Sequence, residues 1–513
     1  MKKLNPKLSL SKSRYTRGLQ CNKSLWLRTY KPEVLTPADA LTQSIFEQGN
    51  VVGDLACGLF PGGKEAPFNP DDYVGMEQLT KQWLSEGVKD IYEATFNYDG
   101  VLALVDIFHQ KEDGRFEIYE VKSSTWSSSK SIVDIEKYVH DASIQYYVLN
   151  GLGFDISDTY ITLVNKDYTR GSKLDIKQLF SHVKVTQEVL NLQSQIPSTL
   201  ENFREDLKDT DNEPNIDIGT HCKKPYKCDA YDYCWKTQRS IPDYSVFNIF
   251  NTNHKSLNLY KEGIINVEDI PEGSISTENQ RFYIDVWKDK KNFIDKEAIK
   301  RFIGTISYPI YHLDFETLAP AIPQFKGASP STSYPFQYSL HIENEDGSLQ
   351  HKELLVEPGK DPREEVAKRL AEDIPKDSCI LAYSASVEKG VIEKLANLYP
   401  AYREHLTNLS NNFIDLRRPF LDRYFCTPEM KKLTGLKTVL PILVPEKKND
   451  YKELDLVHDG GEAMNIYKKL GEAVAEEADL EIINRYRKSL LAYCRQDTKA
   501  MVDILRKLKQ LTL

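Results

Sequence analysis

Two strand-like runs joined by a turn signal constrain the fold of this chain more than any other feature. Residues 101–108 are apolar at every position but one, and residues 116–122 form a second strand-like run. Between them, Glu112-Asp113-Gly114 marks a tight turn. A buried strand, a turn and a partner strand in this order predict a β-hairpin. The chain must therefore build at least one β-sheet around this hairpin.

Three charged residues lie on the predicted hairpin: Asp106 on the first strand, and Glu120 and Lys122 on the second. Because strand side chains alternate faces, Glu120 and Lys122 share a face that Asp106 can meet from the neighbouring strand. Two carboxylates can hold Mg²⁺ or Mn²⁺, and the lysine can position a water or stabilise developing negative charge. Taken alone, this spacing favours an ordinary strand-end Asp and a surface Glu–Lys pair. The surrounding sequence shifts that balance.

Two further features favour a catalytic site. Glu93 lies in a strand-like run before the hairpin, and apolar residues at helical spacing predict an amphipathic helix from Ile135 to Gly151, with Gln145 near its apolar stripe. Together with the hairpin residues they resemble the RecB-like branch of the PD-(D/E)xK nuclease superfamily. The resemblance implies a restriction-endonuclease-like α/β fold and assigns catalytic roles to Asp106, Glu120, Lys122, Gln145 and Glu93, with Asp106 and Glu120 as metal ligands.

The match departs from the family at two places. The helical tyrosine often found four residues after the glutamine is Leu149 here. The N-terminal histidine ligand of many relatives is not evident, and Glu47 or Asp54 could substitute for it.

Four of the eight cysteines bracket the hairpin: Cys21 precedes it, and Cys222, Cys228 and Cys234 follow it. Clustered cysteines in a chain of this length favour metal ligation over a disulfide framework, and four thiolates suit zinc or an iron–sulfur cluster. Buried free thiols are the alternative, which the polar surroundings of the late triplet weaken. One early and three late cysteines resemble the iron–sulfur subset of RecB-like nucleases, which implies a structural 4Fe-4S cluster; zinc is the alternative.

A second acidic pattern begins in the apolar run from Tyr308, which ends in Asp314-Phe315-Glu316. Alternation along a strand puts both carboxylates on one face. Near the C-terminus, residues 480–507 are helical by period, with Tyr493 and Asp497 on one face.

These residues resemble the DEDD exonucleases of the RNase H-like fold, in which four carboxylates bind two metal ions. The resemblance assigns metal binding to Asp314, Glu316 and Asp497, and a catalytic role to Tyr493. Glu388 takes the place of the usual middle Asp, and Asp415 is a secondary candidate. A domain retained only for binding or structure is the alternative for this part of the chain.

The 513 residues are too many for one hydrophobic core and predict two or three domains. We expect an α/β protein: a RecB-like domain over residues 1–238, a small helical connector over 239–305, and an RNase H-like domain over 306–513. The connector could touch a nucleic-acid backbone or serve as a plain spacer. The whole arrangement resembles a bacterial or phage family that joins these two nuclease domains.

The bulk charge limits how the protein can meet nucleic acid. A net charge of −9 argues against indiscriminate coating of nucleic acid, so phosphate contact would fall to local basic strips. Each strip alone is more typical of a solvated face. The strips comprise Lys7, Lys12, Arg14 and Arg17; Lys223, Lys224 and Lys227; and Lys431, Lys432 and Lys437.

Neither a secretory signal nor an apolar run of about 18 residues occurs in the sequence, so we expect no membrane partner and a cytoplasmic location. The sequence predicts a metal-dependent nuclease acting on DNA ends or single strands, more in the manner of an exonuclease than an endonuclease. The alternative is a nucleic-acid-binding adaptor in which one or both centres are inactive. Protein partners are not indicated.

Overall fold

The structure, a computed structural model, describes residues 8–513, so Lys7 of the first basic strip lies outside the described residues. The fold is mixed α/β and divides into two compact units. The first unit extends to Ile241 and includes Pro320–Thr332, and the second comprises Pro242–Ala319 and Ser333–Leu513. Most of the expected connector (239–305) thus belongs to the second unit.

The first unit is built on a seven-stranded sheet in the order β2-β3-β4-β5-β6-β7, with β1 paired to β4 outside this path. The β3–β4, β4–β5 and β6–β7 pairs are antiparallel, whereas β1–β4, β2–β3 and β5–β6 are parallel. Its strands are β1 (Leu10–Ser11), β2 (Lys64–Glu65), β3 (Asp90–Tyr98), β4 (Val101–Gln110), β5 (Phe116–Trp126), β6 (Ile156–Asn165) and β7 (Phe180–Lys184). The predicted hairpin is confirmed as β4 and β5.

Helices cover both faces of this sheet. They are α1 (Lys12–Gln20), α2 (Asn22–Tyr30), α3 (Ala40–Cys57), α4 (Tyr73–Ser85), α5 (Glu136–Gly151), α6 (Ile176–Leu179), α7 (Thr186–Leu192) and α8 (Ile196–Lys208). Apolar residues of α1, α2, α5 and α8 share one core with the central strands. On the other face, α3 shares a second core with the central strands and with Ala321 of the 320–332 segment.

A glycine allows α1 to pack closely against α8. A Cβ at Gly18 would lie 2.6 Å from the Phe203 ring, closer than any side chain tolerates. Tyr15, one turn earlier on α1, meets the same ring edge-on. Gly18 lowers helix propensity, but it is needed for the helix to approach its neighbour. This contact fixes the helix that leads into Cys21.

The second unit contains a five-stranded sheet in the order β11-β10-β9-β12-β13 and a two-stranded sheet of β14 and β8. In the larger sheet β10 is antiparallel to both of its neighbours, and the β9–β12 and β12–β13 pairs are parallel. The strands are β8 (Phe293–Ile294), β9 (Ile310–Leu318), β10 (Tyr334–Glu343), β11 (Leu349–Leu355), β12 (Cys379–Ala382), β13 (Phe413–Asp415) and β14 (Phe425–Cys426).

Helices also cover both faces of the five-stranded sheet. The helices of this unit are α9 (Val246–Phe250), α10 (His254–Lys261), α11 (Glu278–Asp289), α12 (Lys296–Ile303), α13 (Arg363–Asp373), α14 (Ser386–Leu398), α15 (Arg403–Asn411), α16 (Arg418–Leu421), α17 (Leu436–Leu443), α18 (Gly460–Ala475) and α19 (Leu480–Leu511); α9, α10 and α11 lie outside the two cores at the five-stranded sheet. Residues of α13, α14 and α15 form a core with one face, and residues of α12, α17 and α19 form a core with the other.

Helices of the length and apolarity that a membrane crossing requires do not occur within residues 8–513.

Replacing Gly18 with Ala tests the α1–α8 contact. We expect Gly18→Ala to lower the free energy of unfolding by about 1–3 kcal/mol, because the new methyl group must displace the Phe203 ring. Gly49→Ala is the matched control: Gly49 also lies inside a helix, but a Cβ there meets nothing within 4 Å. It should be neutral or stabilise by up to about 1 kcal/mol. Urea unfolding would measure both, and equal stabilities would contradict the contact.

Candidate functional site

The hairpin of the first unit brings its three charged residues together. The β4–β5 ladder ends at the pair of Ile107 and Tyr119, and Asp106 is the next residue on β4 beyond this pair. Its Oδ2 atom instead accepts a hydrogen bond of 2.7 Å from the backbone N–H of Val121. Lys122 Nζ donates to Glu120 Oε1 at 2.5 Å, as expected for two residues on one strand face. The end of the ladder therefore places Asp106 beside Glu120.

Helix α5 supplies Gln145 to the same site. Its Nε2 atom donates to Glu120 Oε2 at 2.6 Å and to the Leu104 carbonyl at 3.1 Å. Gln145 is fully buried, and its Oε1 atom has no hydrogen-bond partner in the structure. The glutamine thus holds one oxygen of Glu120 and presents an acceptor beside it.

Glu93 lies opposite Asp106 at a local break in the β3–β4 ladder. The β3–β4 ladder pairs Tyr92 with Ile107 and Ala94 with Val105, which leaves Glu93 unpaired. Its φ of 51° lies in the left-handed region, which costs a non-glycine residue roughly 1 kcal/mol or more. Burial, and then the charge of Asp106, raises the pKa of Glu93 to about 7. Backbone strain of this kind is concentrated at active sites and ligand sites.

Two charged residues join this site that sequence reasoning did not assign to it. Lys12, the first residue of α1, places Nζ 2.8 and 3.0 Å from the two carboxylate oxygens of Glu120 and 3.5 Å from Asp106 Oδ1. Asp141 on α5 pairs with Lys122 Nζ at 2.9 Å. Lys12 belongs to a predicted basic strip, but only the parallel pairing of β1 with β4 brings it to the hairpin.

The two lysines set the charge state of Glu120. Burial alone would raise the pKa of its carboxyl group, but the charges of Lys12 and Lys122 outweigh burial and lower the pKa to about 2. Asp106 behaves differently: burial, followed by repulsion from Glu120, raises its pKa. Glu120 is therefore ionised even without a metal ion. The ionised form of Asp106, in contrast, would be stabilised by a further cation.

The alternatives to the missing histidine both lie on α3, and both are exposed. Asp54 acts on the Cys57 thiol, as do Glu93 and Asp106 of the site. Burial, and then acidic neighbours that include these three residues, raise the pKa of this thiol to about 12. For Glu47 the structure gives no comparable link among the described residues.

The four predicted cysteines lie together, although about 200 residues separate Cys21 from the other three in sequence. Cys21 lies between α1 and α2, and Cys222, Cys228 and Cys234 lie after α8; all four line one cavity. Burial raises the pKa of Cys228, and it raises that of Cys234 to about 12; neighbouring thiols add to both shifts. Four thiolates in this cavity would repel one another, so the ionised cysteines would be stabilised by a shared cation.

The separation of the sulfur atoms bears on the kind of cation. Thiolates around one tetrahedral zinc ion lie about 3.8 Å apart, given a Zn–S distance of about 2.3 Å. Among residues 8–513, no three of these cysteines have sulfur atoms all within 4.8 Å of one another. His221 also lines the cavity, with Nε2 3.6 Å from the Cys222 sulfur. Sequence reasoning did not assign this histidine.

In the second unit, the predicted acidic strand is β9. Leu313 and Phe315 enter the core with α13–α15, so Asp314 and Glu316 face the opposite side, towards α19. Ligand atoms of Asp314, Glu316 and Cys494 lie within 4.8 Å of one another. The Cys494 thiol donates to Asp314 Oδ2 at 3.6 Å.

Helices α14 and α19 complete an acidic group. Asp497 and Glu388 both raise the pKa values of Asp314 and Glu316, after the larger effect of burial. Glu388 is 4% exposed, its Oε2 atom has no hydrogen-bond partner in the structure, and burial raises its pKa to about 7. A glutamate in the middle position therefore lies within electrostatic reach of the other carboxylates.

Asp415, the secondary candidate, is engaged in its own loop. Its Oδ1 atom accepts hydrogen bonds from the backbone N–H groups of Ser384 at 3.0 Å and Arg417 at 2.9 Å. This carboxylate organises the β12–α14 and β13–α16 connections, while Glu388 faces the acidic group.

Lys437 and Tyr451 also belong to this site, and sequence reasoning did not identify them. The Tyr451 hydroxyl donates to Asp497 Oδ1. Lys437 Nζ donates to the Tyr493 hydroxyl at 3.0 Å and lies 4.7 Å from the centre of that ring. Burial raises the pKa of Asp497 to about 6, although Tyr451 and Lys437 oppose the shift. Lys437 belongs to a predicted basic strip, but Tyr493, which accepts its hydrogen bond in this site, is 56 residues away in sequence.

The two sites differ in how their negative charge is balanced. Two lysines contact the carboxylates of the first site. In the second site, Lys437 is the cation that lowers the pKa values of Glu316 and Asp497. Four carboxylates, three of them buried and one partly buried, cannot all ionise beside one lysine without further positive charge. The second site therefore has the chemistry of a divalent-cation site, and its donor set fits Mg²⁺ or Mn²⁺.

The raised pKa of Glu388 predicts how stability depends on pH. Its folded-state pKa of about 7 exceeds its ordinary value of 4.5, so the folded protein binds the proton more tightly than the unfolded chain. Stability should therefore be greatest below pH 4.5 for this group and fall as pH rises towards 7, by on the order of 3 kcal/mol.

Urea unfolding between pH 5 and 8 in EDTA would measure this fall. Glu388→Gln should make the fall smaller by the contribution of Glu388, because glutamine does not titrate, and Mn²⁺ should offset the fall at pH 8. Glu393→Gln on the same helix is the matched control, since Glu393 is exposed. An unchanged slope in Glu388→Gln would contradict the assignment.

Comparison with known proteins gives one partial match. The family model described as a domain of unknown function, DUF2779, matches residues 311–434, a span that contains Asp314, Glu316 and Glu388. The curated proteins contain no match to this chain. The chain is thus similar to that family from β9 to the segment just before α17.

Proposed function

We propose that this chain is a metal-dependent nuclease that hydrolyses phosphodiester bonds in DNA, at ends or in single strands. The observation that carries the proposal is the group of four carboxylates in the second unit: Glu316, Glu388 and Asp497 are buried, and Asp314 is partly buried. Their pKa values are all raised, and one lysine opposes them. Such a group is stable in its ionised form only with added cations, and paired divalent cations are the common catalysts of phosphoryl transfer.

The roles of the individual side chains follow from their contacts. Bound divalent cations would polarise the phosphoryl oxygens and lower the pKa of an attacking water. Asp314 and Glu316 would hold cations from β9, while Glu388 and Asp497 would hold them from the two helices. Tyr451 orients Asp497 through its hydroxyl group, and Lys437 orients the Tyr493 hydroxyl group. Tyr493, held by Lys437, would then contact the substrate phosphate.

The first unit offers a second centre of the same class. Asp106 and Glu120 would hold a cation, with Gln145 fixing one Glu120 oxygen and Glu93 supplying a further carboxylate. Lys122, held between Glu120 and Asp141, would position water or stabilise the negative charge that develops on the phosphate.

The fold families remain part of the proposal. For a RecB-like first unit, the support is an antiparallel acidic hairpin followed by a glutamine helix and a parallel strand, β4-β5-α5-β6. For an RNase H-like second unit, the support is a five-stranded sheet in which β10 alone runs antiparallel, with the acidic strand β9 at its centre.

We also propose that the four cysteines hold a 4Fe-4S cluster that links the two ends of the first unit. Their convergence on one cavity supports a shared metal centre. The order of one early and three late cysteines favours a cluster over zinc, which four thiolates would also suit. The chemistry that the cluster would supply is structural cross-linking, so the catalytic residues act without it.

A nucleic-acid-binding adaptor is the second candidate, and Lys12 favours it for the first unit. Its ammonium group contacts both Glu120 oxygens and lies 3.5 Å from Asp106, where it supplies the positive charge that a metal would bring. A first unit held in this state would bind nucleic acid without cutting it.

Degradation of end-labelled DNA and RNA tests the proposal and separates the two centres. With Mg²⁺ or Mn²⁺ we expect turnover of DNA, and Asp314→Asn should reduce it by about 100-fold or more if the second centre cuts. Lys122→Met should do the same if the first centre cuts. Asp285→Asn and Lys166→Met are controls of equal charge change at exposed positions in the same two units.

The outcomes are distinct. Protein that binds DNA tightly but cuts neither DNA nor RNA would establish the adaptor and refute the nuclease. A Lys12→Met variant that gains metal-dependent cutting would show that this lysine restrains the first centre.

The cluster proposal has its own test. We expect the purified protein to be brown, to absorb in the visible iron–sulfur range and to release sulfide on acid treatment. Cys228→Ser should lower the melting temperature by several degrees or prevent folding, because the cluster contributes folding free energy. Cys379→Ser, at a buried cysteine outside the cavity, is the control for loss of a thiol. Stoichiometric zinc without sulfide would contradict the cluster.

A further inference from the structure

We propose that a small cavity in the second unit binds a phosphate group, either the terminal phosphate of a nucleic-acid strand or that of a free mononucleotide. The cavity shares no lining residue with the four-carboxylate site. It is lined by Tyr244, Tyr283, Val286, Trp287, Cys426, Thr427, Pro428, Lys431 and Lys432. That the phosphate belongs to nucleic acid rests on the proposed function; the affinity for a phosphate group rests on the cavity itself.

The size of the cavity limits its ligand. Its empty space is about 160 Å³, part of which is open to solvent. Sites for whole organic ligands usually measure about 300–1,000 Å³, whereas one water takes up about 30 Å³ in the liquid. The space therefore suits a single compact group such as a phosphate, with the rest of the nucleotide outside.

The charge of the lining selects an anion. Lys432 Nζ lies 3.4 Å from the Asn248 carbonyl oxygen and 5.9 Å from the centre of the Tyr283 ring, both of which are neutral. Lys431 lies 3.7 Å from Asp243, whose side chain is largely exposed, so water screens that pair. Burial raises the pKa of Cys426 to about 11, so its thiol adds no negative charge at neutral pH.

A buried hydroxyl group at the cavity needs a partner. Thr427 is 3% exposed, and its Oγ1 atom has no hydrogen-bond partner in the structure. It precedes the single helical turn Pro428–Met430 without capping it through its side chain. Leaving a buried hydroxyl unsatisfied is costly, and an oxygen atom of a phosphate would accept its hydrogen bond.

The backbone at the two lysines is strained. Lys431 and Lys432 adopt φ values of 48° and 68°, so two consecutive non-glycine residues lie in the left-handed region. Each costs roughly 1 kcal/mol or more, and such strain is concentrated at functional sites. The strained turn lies at the cavity together with the unsatisfied hydroxyl group, and both observations point to one ligand.

Aromatic side chains complete the recognition of a nucleotide. Tyr244 and Trp287 meet edge-on with ring centres 4.8 Å apart, and Trp287 is partly exposed. The Trp287 ring is held in place by a 2.8 Å hydrogen bond from its indole N–H to Glu268. A base or sugar attached to the bound phosphate could stack on the exposed part of this ring.

Binding in EDTA tests the proposal without any need for catalysis. The probes are labelled single-stranded DNA oligonucleotides that differ only in a terminal phosphate or hydroxyl group at either end. We expect the phosphorylated end to bind about tenfold more tightly in the full-length protein. Lys432→Met and Thr427→Val should each remove this preference, whereas Thr427→Ser, which keeps the hydroxyl group, should retain it.

The controls assign the effect and its source. Lys394→Met, an exposed lysine of the same unit, should leave the preference intact. Competition by a mononucleotide would identify a free nucleotide as a ligand of the cavity, and its failure would identify the strand end. An equal affinity for both ends, or a preference that survives Lys432→Met and Thr427→Val, would overturn the proposal. If the preference holds but no cutting occurs, the phosphate site stands and the nuclease fails.

Discussion

Burial of carboxylates on central strands is the constraint on which both units depend. Glu120 is fully buried on β5, and Glu316 is 7% exposed on β9. An isolated charge in such a place costs several kcal/mol unless it is paired, protonated or bound to a cation. The first unit meets this cost with Lys12 and Lys122, which lower the pKa of Glu120. In the second unit the pKa values of the carboxyl groups are raised instead, and a bound divalent cation would lower them again.

The packing around each unit keeps these carboxylates in place. In the first unit, α1 approaches α8 through Gly18, which positions both Lys12 at one end of the helix and Cys21 at the other. A metal centre at the cysteines would therefore hold the same helix that carries Lys12 to Glu120. In this way the proposed cluster and the hairpin site share a structural element, although their chemistry is separate.

Sequence patterns predicted the elements well where local rules apply. The hairpin, the α5 helix and the acidic strand β9 follow from alternation, turn residues and helical spacing, and the structure confirms them. Local patterns did not identify the site residues that are distant in sequence from the rest of the site. Lys12 and Lys437 looked like parts of solvated basic strips, because nothing nearby in sequence indicates a buried carboxylate partner. The irregular pairing at Glu93 was equally invisible, since it depends on how two strands meet in the sheet.

The sequence alone singled out the candidate site residues, because carboxylates, a glutamine and cysteines were recognisable by their type and their positions on strands and helices. Only the tertiary structure decided how their charge is balanced and where the units divide. Residues 320–332 lie in the chain just after the acidic strand β9, yet they pack into a core of the first unit through Ala321. The physical reason is that counter-charge and core packing depend on distances in space, which a linear pattern does not contain.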